Sequence, residues 1–366
     1  MKAGKKRPNQ EAPIAVSRYG TFGASTRVRL DDWFAHLGIQ AERWDYVGAP
    51  NNQARTLLPR IKEIGKEEMR LRFSSSSVAD RTVIMSRGAS PFSSGALEES
   101  LLNRAAFSVY DFDDAIYVGS HSLRRRIWSE KKAWRRSVCA ADVVIAGSEV
   151  LAEAAARIRS DVILIPSCVE PSRYELKHDY EIGAYPIAVW IGTPSTEQFL
   201  GSIAEALLAL HERWGLRLRV ISSGSASLGV LDRIVDRIQW NMNTFHHHLA
   251  SADLGIMPLP DTQFERGKCA YKLLQYAASG LPTVGSPVGA NVQALDRIAG
   301  IPAESAGLGW QNAVSSIIEA TTEERRSMGT SGRRGVEKHY SYASWADTWR
   351  RATRLGSAPR HMDGRR

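Results

Sequence analysis

Three cations stand close together in the second half of the chain, at Arg266, Lys268 and Lys272. They follow an apolar run at 253–259 that predicts a buried strand, and the pattern of 266–276 predicts that a helix begins here. In an open α/β sheet, ligands bind at the carboxyl ends of strands, where a helix N-terminus offers unpaired N–H groups to an anion. The residue types therefore predict a phosphate site, with a solvated basic turn as the alternative.

The spacing of the two lysines supports the same site. Lys268 and Lys272 are four residues apart, so on a continuous helix they share one face, while Gly267 lets the backbone approach a ligand closely. Cations at the positive end of a helix dipole are locally unfavourable. A bound diphosphate would offset that cost.

A second cluster consists of the acidic residues Asp111, Asp113 and Asp114, which follow a predicted strand in the first half of the chain. Mutual repulsion of these carboxylates is unfavourable unless cations, hydroxyls or a substrate bind to them. The carboxyl end of a strand is also where a functional site is expected. A site for a hard divalent cation and a purely structural loop both remain open. Arg27 and Arg29 are expected to face a cleft and to contact donor phosphates or an anionic acceptor.

These residues are positioned by alternating strands and helices, which predict parallel, doubly wound sheets. The predicted strands lie at 14–17, 82–85, 106–110, 142–146 and 162–165, and then at 187–192, 217–221, 254–257 and 283–286. The predicted helices of the second half lie at 202–214, 271–278, 309–320 and 332–355, the last one broken near Ser341.

The chain has 366 residues, more than one hydrophobic core usually serves, and the strand pattern restarts after the mixed-polarity stretch 179–186. We therefore place a domain boundary near residue 175. The predicted parts are a disordered basic tail at 1–12, a Rossmann-like acceptor domain at 13–175, a Rossmann-like donor domain at 176–338, a helix at 339–356 that crosses back to the first domain, and a disordered tail at 357–366.

The net charge of +9 favours an anionic partner: nucleic acid, an anionic membrane surface or a phosphorylated substrate. No apolar run is long enough for a membrane span or a signal peptide, which predicts a cytoplasmic protein. The three cysteines lack the spacing of a zinc site or of a disulfide framework. A Gly-x-Gly-x-x-Gly motif is missing after the first strand, which argues against a dehydrogenase.

Several other clusters have both a functional and a structural interpretation. One basic cluster with interleaved tryptophans fits either a nucleic-acid or lipid-phosphate surface or the solvated face of a helix; its members are His121, Arg124, Arg125, Arg126, Trp128, Lys131, Lys132, Trp134, Arg135 and Arg136. The histidines at 246–248 are adjacent and would point in different directions on a helix, which predicts a surface run rather than a metal site. Trp240 suits either nucleobase stacking or the core.

The segment 267–291 resembles the donor-binding signature of family 4 retaining glycosyltransferases with the GT-B fold. Supporting stretches at 25–29, 110–115, 141–148 and 165–169 resemble the same family, so the likeness covers about 13–355. The resemblance implies an α/β protein of the GT-B fold, with two Rossmann-like parallel-sheet domains facing across a cleft.

The resemblance also implies the activity: transfer of a sugar from a nucleotide-sugar donor to a hydroxyl-bearing glycan, lipid or small-molecule acceptor, with retention of configuration. No cofactor and no obligatory metal are implied beyond the nucleotide sugar as co-substrate. Peripheral contact with the inner membrane face stays open, and nucleic acid is disfavoured as a partner. From the residues and the resemblance together, we predict Asp113, Asp114, Lys268 and Lys272 as catalytic residues. The predicted donor-binding residues are Gly23, Arg27, Thr193, Ser195, Thr196, Gly267, Cys269, Ala270 and Gln275.

The chain departs from the family pattern at two places. The family's two glutamates, one for the sugar and one for the ribose, fall on Gly267 and Gln275, so a carboxylate contact to the sugar would come from elsewhere, such as Glu265. Gln275 can still hydrogen-bond a ribose hydroxyl. These losses keep open a non-catalytic nucleotide-sugar-binding protein, and a sugar-nucleotide epimerase is a further alternative.

The second departure lies after the first strand of the second domain, where many family members carry an arginine and a lysine. The segment 192–197 has neither. We expect Lys268 and Lys272, together with the hydroxyl loop of Ser195 and Thr196, to bind the diphosphate instead. Many relatives also carry a His-Asp pair near residue 111, and which aspartate takes the place of the histidine stays open.

Overall fold

The computed structural model describes residues 11–20, 23–46, 60–74, 77–118, 128–304 and 307–356. The chain divides into two compact units. The first unit contains the chain up to Ser167 together with the segment from Trp345 onward, and the second unit is Cys168–Ser344. The predicted tails, apart from residues 11 and 12, and the basic residues at 121–127 lie outside the described residues.

The first unit is built on a parallel six-stranded sheet in the order β2-β1-β3-β4-β5-β6. Its strands are β1 Ile14–Ser17, β2 Glu42–Asp45, β3 Thr82–Ser86, β4 Phe107–Phe112, β5 Val143–Ala146 and β6 Val162–Leu164. Every residue of β1, β3 and β4 is buried, because helices cover both faces of a parallel sheet. The strand order changes direction between β1 and β3, which makes this the switch point of the sheet. A ligand-binding site of this unit is therefore expected at the carboxyl ends of these two strands.

Two helices of the first unit are capped by serine side chains. The helices of this unit are α1, which runs through Ala24–Thr26, the π-helical Arg27–Asp31 and Asp32–Leu37, then α2 Ile61–Phe73, α3 Ala96–Arg104, α4 Glu130–Ala140 and α5 Glu149–Ala156. Ser129 and Ser148 cap α4 and α5, since each hydroxyl accepts a hydrogen bond from a backbone N–H three residues on.

The second unit has another parallel six-stranded sheet, in the order β12-β11-β10-β7-β8-β9. Its strands are β7 Ile187–Ile191, β8 Arg217–Ser222, β9 Val235–Gln239, β10 Leu254–Met257, β11 Thr283–Gly285 and β12 Ile301–Pro302. The chain adds β8 and β9 on one side of β7 and then returns to the other side with β10. This is a Rossmann-type order, and its switch point lies between β7 and β10.

The helices of the second unit pack on both faces of its sheet. They are α6 Ala204–Trp214, α7 Phe245–Ala250, α8 Tyr271–Ala278, α9 Ala290–Arg297, α10 Leu308–Glu319 and α11 Thr322–His339, with 3₁₀ helices at Pro171–Arg173, Pro194–Ile203, Gly229–Arg233 and Glu265–Gly267. Two apolar clusters form the core, one of them around the buried Trp190 and Trp310.

The last helix, α12 Tyr342–Thr353, begins in the second unit and ends in the first. A break separates it from α11 at residues 340–341, as predicted near Ser341. In the first unit the Trp349 ring stacks on Trp33, with the ring centroids 5.4 Å apart, and both side chains are buried. No helix in the described part of the chain is long and apolar enough to span a membrane.

Candidate functional site

The switch point of the second unit carries Lys272, the second residue of α8. Its Nζ lies 5.3 Å from the centroid of the buried Trp190 ring, which belongs to β7. Its Cε would lie 2.8 Å from a Cβ at Gly192, the residue that follows β7. The Lys272 side chain therefore runs along the carboxyl end of β7, where a parallel sheet binds its ligand.

A loop of hydroxyls follows Gly192. The Thr193 Oγ1 lies 3.1 Å from the Ser195 Oγ and 3.4 Å from the Thr196 Oγ1. Thr193 and Ser195 are exposed and Thr196 is half-buried, and the Thr196 backbone N–H donates to the Thr193 carbonyl at 2.9 Å. The structure thus brings the predicted hydroxyl loop and Lys272 to the end of the same strand.

The sequence predicts two starts for this helix: the predicted range 271–278 matches α8, whereas the start at residue 266 is wrong. Residues Glu265–Gly267 form a 3₁₀ turn, and α8 begins only at Tyr271, so Lys268 precedes the helix and does not share a helix face with Lys272. The Nζ of Lys268 lies 4.9 Å from the centroid of the Phe264 ring instead.

The backbone around this turn explains the late start of α8. Ala270, its N-cap, has φ +55°, a left-handed conformation that interrupts any helix entering from Gly267. A Cβ at Gly289 would lie 2.1 Å from the Arg266 carbonyl oxygen, so the turn rests directly on a glycine. A strained residue in this position is typical of a functional site.

The remaining predicted donor residues around α8 differ in exposure. Gln275 and Gly267 are buried, whereas Cys269 is half-buried with its Sγ 4.0 Å from the Gly267 carbonyl. Arg266 is exposed and pairs with Asp261, to which its Nη2 donates at 2.9 Å. The positive charge of Arg266 is therefore paired with a carboxylate of the same loop.

In the first unit, the structure corrects the prediction for Arg29. Its side chain is fully buried and donates to both carboxylate oxygens of Asp111, at 2.8 and 2.7 Å, and to the Ile165 carbonyl at 3.0 Å. Asp111 itself lies inside β4 rather than in the loop that follows. Burial raises the pKa of Asp111, and the charge of Arg29 opposes that shift. Arg29 and Asp111 thus hold the unit together and do not face a ligand.

Asp113 and Asp114 do follow β4, and both pair with Arg87, a residue that the sequence did not single out. The Arg87 Nε lies 3.3 Å from the Asp113 Oδ1, and its Nη2 donates to Asp114. Burial alone would lower the pKa of Arg87, but the carboxylates of Asp114 and Asp113 raise it above its ordinary value. The crowding of the aspartates predicted a cationic partner, yet nothing in the sequence pointed to residue 87.

Gly23 and Arg27 stand at the start of α1, after β1. The Arg27 backbone N–H donates to the Gly23 carbonyl at 3.2 Å, and Arg27 opens the π-helical segment. Such π-helical turns occur frequently at functional sites. A Cβ at Gly23 would lie 3.0 Å from the Tyr19 Cβ, so the glycine permits a tight loop. That these two residues contact the donor stays a prediction.

The described part of the basic cluster behaves as one helix face. Lys131, Lys132, Arg135 and Arg136 are exposed on α4, whereas Trp134 is buried and packs edge-on against Phe112. His121, Arg124, Arg125 and Arg126 lie outside the described residues. Contact of these cations with an anionic surface stays a prediction.

The histidine run and Trp240 have local partners. The Nδ1 atoms of His246 and His247 lie 3.7 and 3.2 Å from the Glu175 carboxylate. The half-buried Trp240 ring stacks on Phe245 at a centroid distance of 6.3 Å. Among the residues that the structure describes, no group of three or more His, Cys, Asp or Glu side chains is arranged to hold a metal ion.

The chain was compared with protein-family models, with curated proteins and with solved structures. No family model matches the sequence, and no curated protein matches it in sequence. Solved structures do match. The sucrose-phosphate synthase of Thermosynechococcus elongatus is 15% identical with a TM-score of 0.66, and the match covers 94% of this chain and 98% of that one.

Two further structures match over similar lengths. HepE of Anabaena, solved in complex with UDP and glucose, is 11% identical with a TM-score of 0.65, over 95% of this chain and 100% of that one. A UDP-forming α,α-trehalose-phosphate synthase of Burkholderia xenovorans is 12% identical with a TM-score of 0.62, over the same shares. With the two six-stranded parallel sheets, these likenesses confirm that the chain has the GT-B fold.

Proposed function

We propose that the protein is a glycosyltransferase that transfers a sugar from a nucleotide-sugar donor to a hydroxyl acceptor with retention of configuration. The observation that carries the proposal is the position of Lys272 along the carboxyl end of β7, beside the hydroxyl loop of Thr193, Ser195 and Thr196. A cation and a cluster of hydroxyls at a Rossmann switch point suit a diphosphate. The solved structure of HepE with UDP and glucose supports the same ligand class.

In this proposal the second unit binds the donor. Lys272 and the hydroxyl loop contact the diphosphate, Lys268 contributes charge from the turn before α8, and Gln275 donates to or accepts from a ribose hydroxyl. As the bond between the anomeric carbon and the phosphate oxygen breaks, negative charge grows on the leaving oxygen. The lysines stabilise that charge more than the charge of the ground state, which accelerates transfer.

The first unit binds the acceptor, and Asp113 and Asp114 accept hydrogen bonds from sugar or acceptor hydroxyls. With retention, the acceptor oxygen forms its bond to the anomeric carbon on the side from which the phosphate departs. The acceptor proton passes to the departing phosphate oxygen, so no base from the protein is required. The reaction in this form also requires no metal ion.

The test is calorimetric titration of the protein with UDP, GDP and ADP, with the variants Lys272→Met and Lys338→Met. Loss of one charge-assisted contact costs about 1.5–3 kcal/mol, so Lys272→Met should weaken binding of the preferred nucleotide roughly 10- to 150-fold. Lys338, an exposed lysine of α11, serves as the matched control and should change nothing. Absence of binding by the unaltered protein, or unchanged binding by Lys272→Met, would refute the donor site.

A turnover assay separates the enzyme from a non-catalytic binding protein. Gly267 and Gln275 stand where the family has glutamates, which keeps the binding protein as the second candidate. The nucleotide that binds most tightly defines the nucleotide sugars to be tested with glycan, lipid and small-molecule acceptors. Proton NMR of the anomeric centre before and after transfer checks retention. Nucleotide binding without transfer to any acceptor would favour the binding protein.

A further inference from the structure

Arg87 has an unusual backbone for an arginine. It directly follows β3 and has φ +63°, the left-handed region that residues with a Cβ avoid. Both of its backbone groups bond to β4: its N–H donates to the Asp111 carbonyl at 2.9 Å, and its carbonyl accepts from the Tyr110 hydroxyl at 3.1 Å. The neighbouring strand thus imposes this conformation, and strain of this kind clusters at functional sites.

The side chain of Arg87 bridges two neighbouring carboxylates. Its Nη2 donates a hydrogen bond to Asp114, and its Nε forms an ion pair with the Asp113 Oδ1 at 3.3 Å. The three side chains retain only 12–19% of their exposure. A planar guanidinium offers donors at fixed angles, so it can hold two carboxylates in one arrangement, which a lysine ammonium does not do. All three residues lie at the carboxyl ends of β3 and β4, next to the switch point of the first unit.

We infer that Arg87 is a positioning residue, which fixes the carboxylates of Asp113 and Asp114 in the orientation needed to meet sugar or acceptor hydroxyls. The inference rests on the proposed function, because it assigns these aspartates to the substrate. It explains why an arginine, rather than glycine, stands at a left-handed position: from there its side chain reaches both carboxylates. A purely structural ion pair would stabilise the unit without affecting turnover of a folded enzyme.

The variant that isolates the side chain is Arg87→Gly, since glycine adopts φ +63° without strain and the backbone bonds to β4 can persist. Transfer is measured with the nucleotide sugar and acceptor that the turnover assay identifies, beginning with UDP-glucose. Because misplacing a reacting group by about 1 Å costs roughly 100-fold in rate, kcat should fall about 100-fold while the KM for the donor stays within about twofold. Added methylguanidinium should restore a measurable part of the lost kcat, because it returns the guanidinium to the two carboxylates.

Two further variants separate positioning from folding. Arg87→Lys keeps a cation but loses the fork, so it should fold, lose kcat about 10- to 100-fold and not respond to methylguanidinium. Arg159→Lys is the matched control: the Arg159 guanidinium is in the same unit, pairs with Asp161 and is 17% exposed, close to the 18% of Arg87. Its kcat should not change. Thermal unfolding and nucleotide binding by the second unit report whether each variant is folded.

The outcomes distinguish the two proposals. An active parent enzyme together with fully active, folded Arg87→Gly and Arg87→Lys would overturn the positioning role. If Arg87→Gly does not fold, Arg87→Lys alone decides, since full activity in that variant overturns the inference. A loss of kcat in Arg159→Lys equal to that in Arg87→Lys would also overturn it, because general destabilisation would then explain both. A parent protein that transfers no sugar refutes the proposed function, and the role of Arg87 in turnover falls with it.

Discussion

Replacing Gly192 by alanine tests the position of Lys272 without removing its charge. The new Cβ would lie 2.5 Å from the Trp190 Cη2, 2.7 Å from its Cζ2 and 2.8 Å from the Lys272 Cε. Atoms this close must separate. The Trp190 ring is fully buried in the core, and the Gly192 N–H is held by the Ile221 carbonyl at 3.1 Å. The flexible Lys272 side chain is therefore the group that moves farthest.

The size of the effect follows from these contacts. Overpacking against the Trp190 ring costs about 1–3 kcal/mol in the free energy of unfolding. Displacement of the Lys272 ammonium removes up to one charge-assisted contact to the diphosphate, about 1.5–3 kcal/mol. Since 1.4 kcal/mol corresponds to a factor of ten, the affinity for the preferred nucleotide should fall roughly 10- to 150-fold.

Calorimetry measures the affinity, and urea unfolding followed by fluorescence measures the stability. Gly201→Ala is the matched control, because a Cβ at Gly201 meets no atom within 4 Å. Adding Lys272→Met to Gly192→Ala should weaken binding little further, since both changes remove the same contact. A Gly192→Ala protein that loses stability but binds the nucleotide at full strength would refute the placement of Lys272 in the donor site.

Two other changes test packing, one in each unit. Gly289→Ala should displace the turn at Arg266 and weaken nucleotide binding measured by calorimetry, because the new Cβ would lie 2.1 Å from the Arg266 carbonyl oxygen. Gly307→Ala controls for backbone strain alone, since Gly307 also has a positive φ but its Cβ would meet no atom within 4 Å. Equal losses of affinity in both variants would contradict the role of the contact. Trp349→Ala should lower the free energy of unfolding by about 3–5 kcal/mol in urea, since it removes a buried ring stacked on Trp33, and a loss under about 1 kcal/mol would contradict that packing.

The central strands could be predicted from the sequence because burial on both faces leaves uninterrupted apolar runs. β1 and β10 have the predicted bounds, and the other predicted strands lie within two residues of theirs. β2 and β9 are edge strands with mostly exposed or half-buried residues, and charged residues interrupt their apolar runs, so no strand was predicted there. β12 has only two residues, too few for any pattern.

The boundary between the units shows how contacts can override composition. The change in polarity pointed to residue 175, whereas the contacts divide the chain between Ser167 and Cys168. Val169 pairs with Ser341 as a parallel bridge, and its N–H donates to the Tyr340 carbonyl at 2.9 Å. These bonds tie the segment after 167 to the end of the second unit, and no local pattern reveals a partner so distant in the chain.

Within the candidate site, residue types could be predicted and their geometry could not. Lys272 and the hydroxyls after β7 follow from the strand-loop-helix order, which brings them to one sheet edge. The late start of α8 depends on the left-handed Ala270 and on the contact of Gly289 with Arg266, a long-range feature. The apolar pattern gave the helix its observed range of 271–278, but the four-residue spacing of Lys268 and Lys272 predicted a shared helix face that is wrong, because Lys268 precedes the helix.

The acidic cluster illustrates the same limit and bears on its chemistry. Three aspartates in four positions suggested either a substrate site or a cation site, since their repulsion requires an answer. Two arginines of the chain compensate these negative charges: Arg29 pairs with Asp111, and Arg87 pairs with Asp113 and Asp114. A divalent cation at the last two aspartates would have to compete with a guanidinium already bound to both. The ion pairs with Arg87 therefore favour a role for Asp113 and Asp114 as hydrogen-bond acceptors for hydroxyls over a role as metal ligands.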